Sequence, residues 1–286
     1  MAKLQEDTLP KAEGPDRVFY ETGVLLNADD FQAEQDYHRG RLARALAYVI
    51  GSGTVAGLKV AHEEAVPPDT DGDGAGREER LKVAPGLAID PLGRMIEVPR
   101  HLCIRLERWY QAQTNQDLRE GWHDTDIAWV GAPAGVVVDL VLKFVSCERG
   151  KTPNFAKGPF AALDAVTTAR LRDGYEAALI IRKEANPPLP VIPWSGLVGL
   201  SGDEERSEKF RELVYDAWKT GTSPTTSVFI ARIVIEATAP DGDDAPPRTN
   251  DNHVTINNKI RPFVISANAL AQWLGVDLTL GEDGTG

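Results

Sequence analysis

Cysteine is scarce in this sequence, and long apolar runs are missing. Cys103 and Cys147 are the two cysteines among 286 residues, and neither stands in a CxxC or another spacing typical of metal ligands. We interpret them as two small buried apolar side chains, with a single disulfide as the alternative. The apolar stretches fall well short of the roughly 18 residues that a bilayer requires. We therefore expect no membrane-spanning segment.

The start of the sequence lacks a secretory pattern. Residues 1–16 are polar and contain no apolar h-region. We expect synthesis and folding in the cytoplasm, and departure from the cell only by lysis or within an assembled particle. Residues 1–16 are predicted to be a flexible arm that orders against a neighbouring subunit, and residues 281–286 a disordered tail.

Positive charge is also in short supply. The chain has 43 acidic and 31 basic residues, which gives a formal net charge of −12. A field of this sign repels phosphate backbones, and we see no basic stripe that overrides it, so we expect no nucleic-acid binding. The length allows one large or two medium domains with a buried core.

Two helices stand out in the hydrophobic pattern. The first is predicted over 28–50, because Asn27 is a good N-cap and Gly51 a good C-terminal stop. The second is predicted over 202–220, where apolar residues recur at helical spacing. Between them, residues 90–93 read Asp-Pro-Leu-Gly and predict a type I turn between two short strands.

Most of the remaining pattern is typical of strands, so the predicted fold class is α+β, mainly β. The strongest strand signal lies at 135–147, with an apolar face and Asp139 on the opposite face. A long excursion is expected over 148–172. We predict two small β-sheet or sandwich lobes: 17–130 with the N-terminal amphipathic helix, and 131–280 with the second helix.

One acidic loop resembles half of a calcium site. Asp69, Asp71 and Asp73 supply oxygen ligands at the first, third and fifth positions, and Gly74 stands at the sixth. The twelfth position is Arg80, where a bidentate Glu is expected. We interpret the loop as a solvated hairpin tip and keep calcium as the alternative; no other cofactor is predicted.

The sequence contains no complete motif for nucleotide binding, metal-dependent catalysis or a catalytic serine. The glycines of 51–57 follow a helix and precede a strand, which is the reverse of a dinucleotide-binding loop. The five histidines show no HxH or HExxH spacing, and no GxSxG occurs. We therefore expect no enzymatic activity, and an uncharacterised hydrolase is the weakest alternative.

Three stretches carry a resemblance. FYETGVLLNADDFQAEQDY at 19–37 leads through the first helix into GTVAGLKV at 53–60; VAPGLAIDPLGRMI occupies 83–96, and RLRDGYE occupies 170–176. Together they resemble a poorly characterised family found beside genes of contractile phage tails and extracellular contractile injection systems. The resemblance implies a structural role in a tail or baseplate, and it implies no catalytic residues.

On this basis we hypothesise a structural subunit that docks on other tail or baseplate subunits as a homo- or hetero-oligomer. A carbohydrate- or receptor-binding tail adhesin is the alternative, and it would need a Trp-lined pocket or an occupied calcium loop. The alternative for Tyr37, Arg41, Arg44 and Tyr48 is that they form an ordinary solvent-exposed helix surface with no partner. The predicted interaction residues are Phe19, Tyr20, Tyr37, Arg41, Arg44 and Tyr48.

Overall fold

The α+β, mainly β fold class is confirmed. The structure, a computed structural model, describes residues 4–5, 16–68, 76–153, 166–190, 195–197, 199–217, 226–249 and 253–275. The strands are β1 (Leu4–Gln5), β2 (Gly53–Gly57), β3 (Val60–Glu63), β4 (Arg80–Val83), β5 (Gly86–Ile89), β6 (Met95–Val98), β7 (Leu102–Arg105), β8 (Trp122–His123), β9 (Gly135–Pro153), β10 (Val166–Ile181), β11 (Ser227–Glu236) and β12 (Val254–Asn257). The helices are α1 (Ala28–Ala45), α2 (Leu106–Gln111), α3 (Asn115–Glu120), α4 (Asp203–Ala217) and α5 (Ala267–Trp273).

Strand β9 organises the large sheet. It pairs antiparallel with β10 on one side and with β11 on the other, and β12 continues the sheet beyond β11. The predicted excursion over 148–172 is wrong in part, because 148–153 and 166–172 continue β9 and β10 as a hairpin. Pairing with the neighbouring strand holds these residues extended although their hydrophobic alternation has ended.

Both faces of β9 are buried over its first part, residues 135–142. The face that carries Val136, Val138 and Leu140 joins the main hydrophobic cluster. The opposite face carries Asp139, which is only 4% exposed. The sequence pattern predicted which face was apolar, but not that a segment of chain covers the other one.

Asp139 is balanced by a buried arginine on the neighbouring strand. Arg232 of β11 lies directly opposite Asp139 and is 0% exposed. Its Nε donates to Oδ1 of Asp139 at 2.8 Å, and its Nη2 donates to Oδ2 at 3.1 Å. The carbonyl oxygens of Pro187 and Pro188 accept from Nη1 and Nη2 at 3.0 and 2.8 Å. The pair therefore joins the two central strands to the Pro-rich segment that covers them.

Two three-stranded sheets complete the β structure. β2, β5 and β6 form one sheet, and β3, β4 and β7 form the other. Side chains from both sheets pack in one hydrophobic cluster with β9 and β11, among them Val60, Leu81 and Ile96. The predicted division of the chain between residues 130 and 131 stays a prediction.

The N-terminal helix begins as predicted. The Asn27 side chain accepts from the backbone N–H groups of Asp29 and Asp30 at 2.7 and 3.1 Å, and the Asp30 carboxylate accepts from the Asn27 N–H at 2.8 Å. The helix ends in a π-helical turn over Leu46–Ile50, closed at Gly51. These capping bonds and the glycine define both ends locally, which is why the sequence could locate them.

A glycine attaches α1 to the rest of the protein. Gly93 N–H donates to the Asp90 carbonyl at 2.8 Å, which confirms the predicted turn. Gly93 has a φ of +83°, and a Cβ there would overlap the carbonyl oxygen of Ala43. Ala43 is the buried residue of α1. The helix therefore rests on a close backbone contact between two small residues.

The second long helix, α4, agrees with the predicted 202–220, of which 218–220 lie outside the described residues. Within Asp203–Ala217 no residue of α4 is buried. Phe210, Val214 and Tyr215 are 49%, 43% and 76% exposed. The amphipathic pattern predicted the helix correctly, but its described apolar side chains are only partly covered.

We expect Arg232→Met to lower the free energy of unfolding by about 3–5 kcal/mol, because the buried Asp139 carboxylate loses both of its hydrogen bonds from Arg232 and keeps only the longer contact with Arg182 at 3.5 Å. Asp139→Leu combined with Arg232→Met should recover part of this loss, since no buried charge remains. Urea unfolding curves measure both values. Glu212→Ala, which breaks an exposed ion pair on α4, is the control and should cost less than about 1 kcal/mol. Equal losses in Arg232→Met and this control would contradict the role of the buried pair.

Gly93→Ala should destabilise the protein by more than about 1 kcal/mol, and it should increase proteolysis within 28–50. Gly131→Ala is a matched control, because Gly131 has a similar φ of +85° and nothing within 4 Å of the added Cβ. The excess effect of Gly93→Ala over the control measures the contact with α1. Identical protease patterns in the two variants would show that this contact does not hold the helix.

Candidate docking surface

Large apolar side chains are exposed throughout residues 19–50. Leu25 is 94% exposed and Val49 is 79% exposed. Surface apolar residues are ordinary when scattered, whereas a concentration of them marks an interaction site. The exposed set is Phe19, Tyr20, Val24, Leu25, Leu26, Phe31, Leu42, Tyr48, Val49 and Ile50.

The way α1 is attached explains this exposure. The helix approaches the β5–β6 turn through Ala43 and Gly93, so only a narrow strip of its surface faces the protein. Phe31 and Leu42 lie on the predicted apolar face, yet they are 54% and 55% exposed. The apolar face that the sequence pattern predicts for this helix is therefore not buried against the rest of the same chain.

Two of the predicted interaction residues form a stack on α1. The guanidinium of Arg41 lies 5.5 Å from the centre of the Tyr37 ring. The His38 ring meets Tyr37 edge-on at 5.3 Å, and its Nε2 lies 2.8 Å from Oε1 of Glu34. This aromatic and cationic group is the kind of composition that is enriched at interface centres.

The other predicted residues extend along the same segment. Desolvation raises the pKa of Tyr20, and the carboxylates of Glu34 and Asp30 raise it further, which places the phenol beside the first half of α1. Phe19 is 75% exposed. Arg44 is half-buried, and Tyr48 is exposed in the π-helical turn. The structure therefore places all six residues on one segment, with Tyr37 and Arg41 in direct contact.

A C-terminal segment adjoins this surface, and sequence reasoning missed it. The N–H of Thr54 in β2 donates to the carbonyl of Pro262 at 2.9 Å, and the N–H of Val264 donates to the carbonyl of Thr54 at 2.9 Å. Residues 262–264 thus pair with the chain at Thr54, which is four residues beyond Ile50 at the end of the π-helical turn. The exposed apolar residues that they introduce are Phe263, Ile265, Leu270, Trp273 and Leu274.

A groove of about 1090 Å³ lies where the three resembling stretches meet. Leu42 and Leu46 come from the helix that follows the first stretch, and residues 85–87 come from the second. Residues 172–175 come from the third. Segments far apart in sequence therefore line one concave surface next to α1.

A second concave site is charged. Glu79 is 6% exposed and accepts from both Nη atoms of Arg248 at 2.6 and 2.7 Å. His62 Nε2 lies 2.7 Å from the same carboxylate, and Arg248 also donates to Glu107 at 2.8 Å. Glu79, Glu107 and Arg248 border a cleft of about 620 Å³. Because they bind one another, they join the small sheet to the loop before β12.

Burial and ion pairing shift the pKa of Glu79 in opposite directions. Burial raises the pKa of Glu79, but hydrogen bonds from Arg248 and His62 and their charge lower it to about 2. Burial raises the pKa of the neighbouring Tyr110 to about 12. Its hydroxyl donates to the Pro246 carbonyl at 2.6 Å. Both groups are therefore held in one protonation state near neutral pH, which suits a structural contact.

The predicted metal residues cannot be placed. Asp69, Asp71 and Asp73 lie outside the described residues. Within the described part of the chain, no group of three or more His, Cys, Asp or Glu side chains could hold a metal ion. Both cysteines are free thiols, so the disulfide alternative is wrong. Cys103 is exposed, because it lies on an outward-facing position of β7, so the prediction of a buried side chain is wrong for it.

The tryptophans of the described loops anchor the core. Trp109 and Trp122 pack against the main hydrophobic cluster, and the Trp122 indole donates to the Ala237 carbonyl at 3.0 Å. Trp129 packs on a smaller cluster around Val137. Among the described residues, no tryptophan lines the groove or the charged cleft. The aromatic pocket that an adhesin would need is not formed by these residues.

Comparisons with known proteins add little. No family model matches the chain, and no curated protein matches it. A solved chain from the baseplate complex from the type VI secretion system is similar at a TM-score of 0.30 and 12% identity. The similarity covers 91% of this chain and 63% of that chain, so this chain spans less than two thirds of its length. A TM-score this low carries no argument for fold or function.

One further observation concerns membranes. Among the helices that the structure describes, none is both long enough and apolar enough to cross a bilayer.

Glu79→Gln should flatten the pH dependence of stability in acid. The folded-state pKa of about 2 lies below the ordinary value of 4.5. The ionised carboxylate therefore stabilises the fold above about pH 4.5, and this contribution is lost as the pH falls toward about 2. Thermal unfolding measured from about pH 5 to about pH 2 tests the sign. Glu205→Gln on the exposed α4 is the control, and a Glu79→Gln curve parallel to the unsubstituted protein would contradict the prediction.

Proposed function

We propose that this protein is a non-enzymatic structural subunit of a larger assembly, and that its N-terminal segment docks on a neighbouring subunit. The observation that carries the proposal is the exposure of ten large apolar side chains within 19–50, before, on and directly after a helix that buries one alanine. Leaving such surface in water is costly, at about 25 cal/mol per Å² of apolar area. A partner that covers it would recover that free energy.

The composition of the segment also supports a protein partner. The half-buried Tyr37 and the exposed Arg41 form a stack on α1, and aromatic and arginine side chains contribute disproportionately to protein interfaces. The groove beside α1 adds concave surface in which side chains of a partner could be buried. Together these features describe a surface completed by association.

The kind of assembly is proposed from the sequence resemblance. The stretches at 19–37, 53–60, 83–96 and 170–176 resemble proteins encoded beside contractile tails and injection systems, and three of these regions contribute to or adjoin the groove. We therefore propose a place in a contractile-tail or injection-system baseplate. The partners would be other tail or baseplate subunits.

The test is incorporation of a tagged chain into particles of the organism that encodes it. The chain should co-sediment with purified contractile particles. Tyr37→Ala combined with Arg41→Ala should lower its bound fraction, since the loss of an interface hot spot of about 2 kcal/mol weakens binding by more than tenfold. Both side chains are on the surface of α1, so thermal unfolding should change little.

The matched control is Arg108→Ala combined with Gln111→Ala, two exposed positions of α2. This variant should be incorporated like the unsubstituted chain. A chain that stays in the supernatant while particles form without it would contradict the proposed function. A monomer that binds glycans and is absent from the particle body would favour the adhesin.

A further inference from the structure

Strand β10 lies at the edge of the large sheet. Within the described part of the chain it pairs with β9 and with no other strand, and no backbone hydrogen bond joins it to another segment. Every second residue of an edge strand directs its N–H and C=O groups away from the sheet. With 16 residues β10 is longer than most strands, so this open edge is long as well.

The residues of β10 are accessible along its whole length. None of Val166–Ile181 is buried, whereas most residues of β11 and of β9 over 135–146 are buried. Leu171 is 61% exposed and Ile180 is 43% exposed. A long, accessible edge that carries apolar side chains is a template for pairing with another strand.

A glycine near the middle of this edge has no role within the chain. Gly174 does not have a positive φ, and an added Cβ would approach nothing closer than 3.7 Å, the distance to Sγ of Cys147. Other residues would therefore fit at this position, and glycine within a strand is destabilising relative to Ala. Glycine in a strand often marks a place where another backbone approaches closely. The open edge of β10 offers such a place at Gly174.

Charges of opposite sign flank this glycine. Arg172 precedes Gly174 by two residues and Glu176 follows it by two, so both side chains project from one face of the strand. Both residues are exposed, and neither forms an ion pair within the described part of the chain. Further along the same face, Arg170 lies directly opposite Arg149 of β9, and such like charges destabilise a strand pair. This face of β10 therefore lacks counter-charges within the chain.

We infer that β10 pairs antiparallel with β10 of a second copy, about a two-fold axis at Gly174. In this register Arg172 of each copy lies opposite Glu176 of the other, which makes two cross-strand ion pairs. Glu176 of the second copy also lies diagonally beside Arg170, and it supplies the counter-charge that this residue lacks. The same surface is used on both copies, so the contact closes as a dimer with one continuous sheet.

The charges select this register among its neighbours. A two-fold axis at Asp173 would set two carboxylates opposite each other, and an axis at Glu176 would do the same. An axis at Arg172 would oppose two guanidiniums, and an axis at Tyr175 brings no opposite charges together. Among these positions, Gly174 alone pairs opposite charges without opposing like ones. The inference goes beyond the proposed function, because it assigns a second copy to a surface other than residues 19–50.

Charge reversal and charge exchange test the pairing in the full-length protein. In sedimentation equilibrium the unsubstituted chain should approach twice the 31.1 kDa of a monomer as its concentration rises. Arg172→Glu should raise the Kd of the dimer by about tenfold or more, because two opposite-charge pairs become two like-charge pairs. Glu176→Arg should do the same. The variant with both substitutions should dimerise like the unsubstituted chain, since each ion pair is restored in reverse.

The recovery by charge exchange requires a folded chain, so a folding defect cannot produce this pattern. Arg100→Glu is the matched control, because it makes the same charge change at an exposed position just before β7. It should leave the dimer Kd unchanged.

Crosslinking between introduced thiols tests the register. In a chain with Cys103→Ser and Cys147→Ser, Asp173→Cys places two thiols diagonally across the contact, about 7–8 Å apart. A short bis-maleimide should therefore join the two copies. Arg170→Cys is the control, because its two thiols would lie eight residues apart along the paired strands, about 27 Å, and should stay unlinked.

Three results would overturn the inference. These are an unsubstituted chain that stays at monomer mass, an exchange variant that dimerises no better than the single reversals, and equal crosslinking of Asp173→Cys and Arg170→Cys. A monomeric chain that is still incorporated into particles through Tyr37 and Arg41 would leave the proposed function standing while the pairing of β10 fails. A dimer that shows the expected charge pattern but is absent from particles would support the pairing and contradict the proposed function.

Discussion

The antiparallel pairing of β9 with β11 places Asp139 directly opposite Arg232, and the interior of the protein is arranged to satisfy that pair. Two hydrogen bonds join the charged groups, and the carbonyls of Pro187 and Pro188 accept from the guanidinium. A buried pair left incomplete is far costlier than an apolar substitute. The register of the two strands and the path of the Pro-rich segment are therefore coupled to one ion pair.

That coupling allows the opposite face of β9 to be purely apolar. Val138, Leu140 and Leu142 pack with residues of both small sheets, so one cluster connects the three sheets. The segment at 258–261 strengthens this connection, because the Asn258 side chain bonds both the N–H and the carbonyl of Val60 at 2.9 Å. Buried contacts and hydrogen bonds therefore connect the three sheets.

Helices α1 and α4, by contrast, bury almost none of their side chains. This difference between the sheets and the two long helices underlies the functional proposal. Helix α1 is seated by the contact of Ala43 with Gly93, and α4 has no buried residue. In a protein that acts alone, such amphipathic helices would turn their apolar sides inward. Here Phe31 and Leu42 on the apolar side of α1 are 54% and 55% exposed. The arrangement suits a rigid body that presents contacts for assembly.

The sequence by itself determined the features that depend on neighbouring residues. The fold class, the Asn27 cap, the Gly51 stop and the turn at 90–93 follow from short-range geometry, so their prediction succeeded. The tertiary structure alone decided the rest, because burial depends on residues that are remote in the chain. No local pattern pairs Asp139 with Arg232, leaves Phe31 exposed, or brings residues 262–264 to Thr54. The sequence therefore predicted the helix of the candidate surface. Only the tertiary structure showed that residues 262–264 adjoin it.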